Sequence, residues 1–221
     1  MITAIASLKG GAGKSTLAFN LGIWLAYRGH RVRVYDLDLQ KTLTDVLRVR
    51  SEEGYKPDLP VVTTHELDIG QLAAEGIEQD ILLDIGSSNV DTIGLAVAQA
   101  DCLIIPVQPS QPDVWATQRF LHLLERQGSL QPAKPVFAFI NRADTDPAIP
   151  ETMEAEAALR QLPGLELLPH RLSDRTAFRR SMSEGLAVFE LWASGEAARE
   201  FNELATALLR GPMSAAMENH G

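Results

Sequence analysis

The run Lys9-Gly10-Gly11-Ala12-Gly13-Lys14-Ser15-Thr16 lies between an apolar, strand-like stretch and a helix-patterned one, and its residue types suit one kind of chemistry. Glycines at 10, 11 and 13 let successive backbone N–H groups turn inward with no Cβ in the way. The helix that follows adds the positive end of its dipole, so loop and helix together make a nest for an anion. Lys14 and Ser15 narrow the anion to a polyphosphate: the ammonium reaches the β- and γ-phosphates, and the hydroxyl ligates a Mg²⁺ bridging them. The usual phosphate loop has glycine where this chain has Leu8, and it does not call for the lysine found here at position 9. A second lysine has a physical use, because charge developing on a transferred phosphoryl group is stabilised by an added cation.

The whole motif, KGGAGKST, resembles the deviant Walker A loop of the ParA/MinD family of ATPases, and the resemblance extends over roughly residues 1–210, closest to the short plasmid-type ParA partition proteins. It implies hydrolysis of ATP with Mg²⁺, nucleotide contacts along the loop from Lys9 to Thr16, and a signature lysine, here Lys9, that reaches a partner subunit's nucleotide. ATP would then hold a homodimer together. By the same resemblance Lys9, Lys14 and Asp38 are catalytic. Asp38, in the run YDLDLQ, positions or activates the attacking water, and Asp36 supports the metal shell with Ser15. Asp84, closing ILLD, looks like the Walker B aspartate that holds Mg²⁺ through its water. Pro106, Pro109, Ser110 and Asp113 fall in register with the family's PxxPSxxD segment, whose prolines shape the crevice at the carboxyl end of a strand. Asn141-Arg142 resembles an adenine-contacting pair, with Asn offering donor and acceptor to the base edge and Arg stacking on its face. Pro169 is grouped with them as a nucleotide contact. Two places depart from the family pattern. Asp84 is followed by Ile85-Gly86-Ser87-Ser88 rather than Thr-Pro or Ser-Pro, and Asp38 by Leu39 rather than proline, although Gln40 is in place. These departures bear on the switch loops and the hydrolysis rate more than on nucleotide binding.

Short apolar runs alternating with helix-patterned stretches are the elements that must position these residues. They predict strands at 2–8, 31–36, 60–64, 80–85, 102–107, 135–140 and 166–169. Helices are expected at 14–28, 41–48, 66–75, 91–99, 113–127, 150–162, 174–184 and 195–210. The fold class that follows is α/β: a single-domain P-loop NTPase with a mostly parallel twisted sheet flanked by helices on both faces. In the first helix Leu17, Leu21, Trp24 and Leu25 recur at helical spacing before Gly29, so this stripe should face the sheet and Trp24 should be core. Stretches 51–60 and 144–150 read as surface loops, and residues 211–221 as a flexible tail.

At 221 residues the chain has the size of one large domain, and 45% hydrophobic content can furnish its core. A formal charge of −9 argues against coating nucleic acid through bulk charge. The single Cys102, expected to be a buried small hydrophobe, excludes an intrachain disulfide and a cysteine-rich metal or iron–sulfur site. No stretch is apolar for long enough to span a membrane, and the residues after 210 lack the mass of a membrane-binding amphipathic helix, so a cytoplasmic protein without membrane attachment is expected. Four arginines stand against this acidity: Arg171, Arg175 and Arg179 at i, i+4 and i+8, with Arg180 beside them. On a helix from about 174 they would form a face for nonspecific double-stranded DNA; alternatively they pair with Asp174, Glu184 and other carboxylates. The expected activity is therefore an ATP-dependent dimeric switch, nucleoid-associated when ATP-bound, that positions a plasmid, chromosome or other cargo with a ParB-like or other adaptor stimulating hydrolysis. The alternative is an ATP-switched scaffold for conjugation, secretion or cellulose synthesis that binds no DNA.

Overall fold

The computed structural model describes residues 1–63, 68–88, 90–131, 134–146 and 149–210. The apolar runs form strands β1 (Ile2–Ile5), β2 (Val32–Asp36), β3 (Val61–Thr63), β4 (Asp80–Asp84), β5 (Cys102–Val107), β6 (Val136–Ala143), β7 (Glu166–Leu167) and β8 (Leu172–Ser173). They pair in the order β3-β2-β4-β1-β5-β6-β7, with β8 also on β6, and every pair is parallel. Successive strand residues point to opposite faces, and each face of the sheet closes its own core. Phe137 and Phe139 of β6 pack with α1 (Lys14–Tyr27), α2 (Thr42–Glu52) and α9 (Glu196–Arg210). Val136, Ala138 and Ile140 pack on the other side with α4 (Val90–Gln99), α5 (Gln111–Arg126) and α6 (Glu151–Leu159).

The topology decides where a ligand can sit. From β1 the chain crosses through α1 to β2 and β3, passes α3 (Ile69–Glu78), and returns to insert β4 between β2 and β1 before adding β5 on the far side. The helices after β1 and β4 therefore lie on opposite faces of the sheet, and the crevice between their loops, at the carboxyl ends of the strands, is left open.

The expected elements are present with shifted ends, and three differences matter. The first helix is buried almost all round from Leu17 to Leu25 rather than along one stripe, because α2 and α9 cover the side that the sheet does not. Trp24 is core as expected, 1% exposed. Two short elements escape a periodicity reading, β8 and α8 (Val188–Leu191), since two or four residues carry no period. Helix α7 (Thr176–Glu184) starts later than 174, with Arg175 extended at its N-cap. Arg171 and Arg175 thus lie outside the helix, and the expected i, i+4, i+8 arginine stripe does not form. The expected tail, 211–221, lies outside the described residues. Cys102 is the expected buried hydrophobe: it is 0% exposed, and burial pushes its thiol up to about 11.

The α2, α7 and α8 corner is locked by a buried ion pair. Arg50, 2% exposed, donates twice to the Glu190 carboxylate, at 2.7 and 2.9 Å, and also to the carbonyls of Gly185 and Pro57 at 3.0 Å. Removing one member of such a pair leaves the other buried and uncompensated. Arg50→Met is expected to lower the unfolding free energy by about 3–5 kcal/mol, read from urea denaturation. An unchanged midpoint would mean that the pair adds nothing to the fold.

Candidate functional site

The phosphate loop leaves β1 and enters α1 through Gly13, which is left-handed with φ 96°. Glycine is needed there twice over. Besides the positive φ, a Cβ on Gly13 would fall 2.1 Å from Nδ2 of Asn141. That amide donates to the Ala12 carbonyl at 2.7 Å, so the end of β6 pins the loop from the side. From just beyond β5, Gln108 donates to the Gly11 carbonyl at 3.4 Å. The Pro106–Asp113 segment behind it makes a strand end and a helix cap: Ser110 accepts from the Asp113 backbone at 3.3 Å and donates to the Asp113 carboxylate. Loop, α1 N-terminus, Asp38, Gln40, Ser87 and Ser88 enclose a cleft of about 410 Å³.

Two ionisable groups, Lys14 lining this cleft and Asp84 behind it, are buried and short of partners among the described residues. Lys14, 6% exposed, donates among the described residues only to the Lys9 carbonyl, at 3.3 Å. Burial lowers the pKa of its ammonium, with Asp84 and Asp38 opposing. Asp84 is 0% exposed, and neither carboxylate oxygen has a hydrogen-bond partner among the described residues. Burial raises its carboxyl to about 7, the Ser15 hydroxyl works against the rise, Asp36 adds to it, and Lys14 opposes it. An orphaned carboxylate beside a serine hydroxyl fits Mg²⁺, which takes one or two protein oxygens and completes its shell with phosphates and waters. Among the described residues no cluster of three acidic, histidine or cysteine side chains could hold a metal alone, so an ion here would depend on the phosphates.

Asp36 and Asp38 differ from one another. Asp36, expected in the metal shell, already has both oxygens hydrogen-bonded: Oδ2 accepts from the Thr44 backbone and hydroxyl at 2.8 and 2.6 Å, and Oδ1 from the Asp38 backbone at 3.2 Å. It caps α2 and holds the loop that carries Asp38. In Asp38, Oδ1 accepts from the Gln40 backbone at 3.0 Å, while Oδ2 has no hydrogen bond among the described residues and is available to a water. The Gly86 departure has a packing reason, since a Cβ there would come within 2.8 Å of the Asp38 carboxylate. The loop after β4 therefore rests directly on Asp38. Lys9 is half-buried, and its ammonium has no ion-pair or hydrogen-bond partner among the described residues.

A second cavity, about 230 Å³, adjoins the first and shares Gly13, Thr16 and Arg142 with it. Asn141 and Arg142 line it, the latter at φ 57° where β6 changes register against β8. One Asn141 amide hydrogen is already committed to the phosphate loop, so this residue joins base side and phosphate side. The far wall is Ser173, Asp174, Phe178 and Met182. Sequence reasoning missed this wall, because a two-residue strand gives no signal and only tertiary pairing brings it to Asn141. Pro169 sits in an exposed bend after β7 and lines neither cavity.

The four arginines are not one open face. Arg175 lines the second cavity and is bound at 2.8 Å to both Glu196 and Glu200. Arg171 approaches Glu156 at 4.0 Å, Arg179 pairs with Asp174 at 3.4 Å and Arg180 with Glu184 at 2.6 Å. Arg179 and Arg180 remain the exposed pair on α7, with side chains 65% and 48% accessible.

A family model described as the CobQ/CobB/MinD/ParA nucleotide binding domain matches residues 3–188. The chain is 29% identical over 206 residues to the maintenance of carboxysome distribution protein A of Halothiobacillus neapolitanus, covering 91% of this chain and 93% of that one. Among solved structures it resembles a putative plasmid partition protein of Borrelia burgdorferi bound to AMPPNP, with a TM-score of 0.72 at 18% identity over 95% of this chain and 98% of the other. It is also similar to the MinC:MinD cell division complex of Aquifex aeolicus, with a TM-score of 0.73 at 21% identity over 95% of each chain.

The Asp84 carboxyl gives a pH test in the nucleotide-free protein. Its native value, about 7, lies above the ordinary 3.8. The stability due to this group is therefore complete below the ordinary value and is lost as pH rises through 7. Thermal melts without nucleotide or Mg²⁺ should show Asp84→Asn gaining on the wild type from about pH 4 to about pH 7 and holding a constant lead above. Melting curves that run parallel across this range would remove the buried-carboxyl account.

Proposed function

Since the chain belongs to the CobQ/CobB/MinD/ParA nucleotide-binding family, we propose that this P-loop ATPase works as a positioning switch: closed into a homodimer by Mg-ATP, held on nonspecific DNA while closed, and released when a cargo-bound adaptor stimulates hydrolysis. The coarse activity is that of the family, a ParA/MinD-type ATPase of partitioning or positioning. Residues 1–210 would act as one ATPase domain, and the roles below are this chain's own.

The observation that carries the dimer is Lys9. Lys14 already occupies the protein's side of the phosphate cleft, while the Lys9 ammonium, a few residues away, has no partner among the described residues. A cation next to the phosphate loop in sequence, with no partner among the described residues, is suited to reach a second nucleotide across an interface. Ser15 and Asp84 would hold Mg²⁺, which neutralises charge on the β- and γ-phosphates when bound. Asp38, carried by the Asp36 cap and backed by Gly86, would orient the water. Leu39 beside it is 62% exposed, so the loop is open until something packs on it, which supports slow hydrolysis in the isolated protein.

For DNA, Arg179 and Arg180 carry the reading that remains. Their carboxylate partners are exposed, and such pairs contribute only about 0–1 kcal/mol, so exchange for phosphates is not opposed. Presented twice by a dimer, they would give binding that falls steeply with salt. The second reading, a scaffold without DNA, is favoured by the pairing of all four arginines with carboxylates. The name of the carboxysome distribution protein supports a protein assembly as cargo alongside a plasmid or chromosome. Among the described residues no helix is long and apolar enough to cross a membrane; the proposed location is the cytoplasm, with nucleoid association in the ATP-bound state.

In light scattering with saturating Mg-ATP, Asp38→Ala should be a stable dimer. Lys9→Ala should bind nucleotide yet stay monomeric, and a dimeric Lys9→Ala would remove the cross-subunit role. Gel retention of a random-sequence duplex with ATP, ADP or no nucleotide, across a salt series, should be ATP-selective and salt-sensitive. Arg179→Glu with Arg180→Glu should abolish it; retention that survives the double change moves DNA binding elsewhere, and none in the wild type favours the scaffold.

A further inference from the structure

The wall of the second cavity is too slight to place itself. β8 contributes two residues, joined to β6 across a register shift, and α7 begins only at Thr176. Its position is fixed from behind by Glu200 on α9. Oε2 accepts from the Ser173 backbone at 3.0 Å and Oε1 from the Ser173 hydroxyl at 2.9 Å. Oε1 also accepts from Nε and Nη2 of Arg175 at 3.1 and 2.8 Å. One carboxylate thus holds both residues that flank Asp174 at the cavity. Burial works to raise the Glu200 carboxyl, but the Arg175 and Ser173 hydrogen bonds outweigh it and keep the pKa below its ordinary value.

The helix that carries Glu200 is itself rigidly seated. Phe201, Leu204, Ala205 and Leu208 are at most 1% exposed. Two residues past Glu200, Asn202 accepts from the Trp24 indole N–H at 2.8 Å, and Trp24 lies on α1, the helix whose N-terminus is the phosphate loop. Helix α9 is therefore bonded to the elements behind both parts of the cleft, although no residue of α9 lines either cavity.

We propose that Glu200 is a positioning residue for the nucleoside end of the nucleotide: through Ser173 and Arg175 it sets the wall formed by Asp174, Phe178 and Met182 against Asn141 and Arg142, so that a base enters a preformed slot. This rests on the reading that the polyphosphate occupies the larger cleft and the base the adjoining cavity. Glu200 touches neither. Its loss should weaken recognition of the nucleoside and leave the phosphate loop as it was, because a wall that must be ordered on binding reduces affinity by the cost of ordering it.

The test compares two probes, Mg-ATP and Mg-tripolyphosphate, by calorimetric titration of the wild type, Glu200→Gln and Ser173→Ala. The wild type should prefer ATP. Glu200→Gln should cut that preference about tenfold and Ser173→Ala about threefold, both through ATP, with tripolyphosphate affinity within roughly twofold of wild type. Ser173→Ala removes one hydrogen bond and no charge, so it carries the test should circular dichroism show that Glu200→Gln does not fold. A folded variant with the wild-type preference, or one that weakens both probes equally, overturns the positioning role. A wild type that binds tripolyphosphate as tightly as ATP overturns the base-cavity reading itself.

Discussion

Asp84 is buried at the carboxyl end of β4 and Lys14 at the start of α1, and the described residues do not complete the hydrogen bonding of either. Burial lowers the pKa of the ammonium and raises that of the carboxyl, so in each the charged form is disfavoured. An isolated chain gains nothing from this arrangement, since buried charge without partners opposes folding. In the proposed function, phosphate oxygens and a divalent cation would supply the missing bonds. The rest of the molecule can be understood as what keeps these two groups buried and in place: a double-faced core behind them, and a ring of hydrogen bonds around the loop that carries Lys14.

That ring is drawn from distant parts of the chain. Asn141 bonds to Ala12 from the end of β6, and Gln108 to Gly11 from beyond β5. Asp36 caps α2 and thereby holds the Asp38 loop, on which Gly86 closes from the loop after β4. A change in any of these elements is felt at the phosphate cleft. The substitution of Ile-Gly for the family's Thr-Pro or Ser-Pro after Asp84 also becomes intelligible, because without a Cβ the backbone can lie against Asp38. The two acidic residues of YDLDLQ, similar in sequence, have different work: one is saturated with hydrogen bonds and structural, the other has an oxygen to offer.

The arginines bear on how an acidic chain could make the proposed contact with DNA. With a formal charge of −9 there are enough carboxylates to pair each of the four. Depth separates them. Arg175 and Arg179 both line the second cavity, but Arg175 is held between Glu196 and Glu200, whereas the more exposed Arg179 pairs with Asp174 and Arg180 with Glu184 while lying over the Trp192 ring. An overall acidic surface is compatible with a switch that must let go of a polyanion, because only a small and exchangeable cationic patch favours contact.

Much of this was legible in the residues themselves. The order Lys-Gly-Gly-Ala-Gly-Lys-Ser between strand and helix constrains backbone and chemistry together, and apolar runs alternating with helical periods admit few folds besides a doubly covered parallel sheet. Lys14 and Ser15 at the start of α1, and Asp38 and Asp84 at or just beyond the ends of β2 and β4, are proposed as site residues from local sequence order alone, because strand, loop and helix follow one another directly there. What tertiary structure alone decided involves contacts between segments far apart in the chain. No local pattern says that Asp36 would be saturated by Thr44, that Asn141 would pack onto Gly13, that a two-residue β8 would form a cavity wall, or that Glu200 would hold it. A helix cap, a bulge and a buried carboxylate depend on which surfaces meet when the sheet closes, and that is fixed by packing of the whole core rather than by the residues on either side.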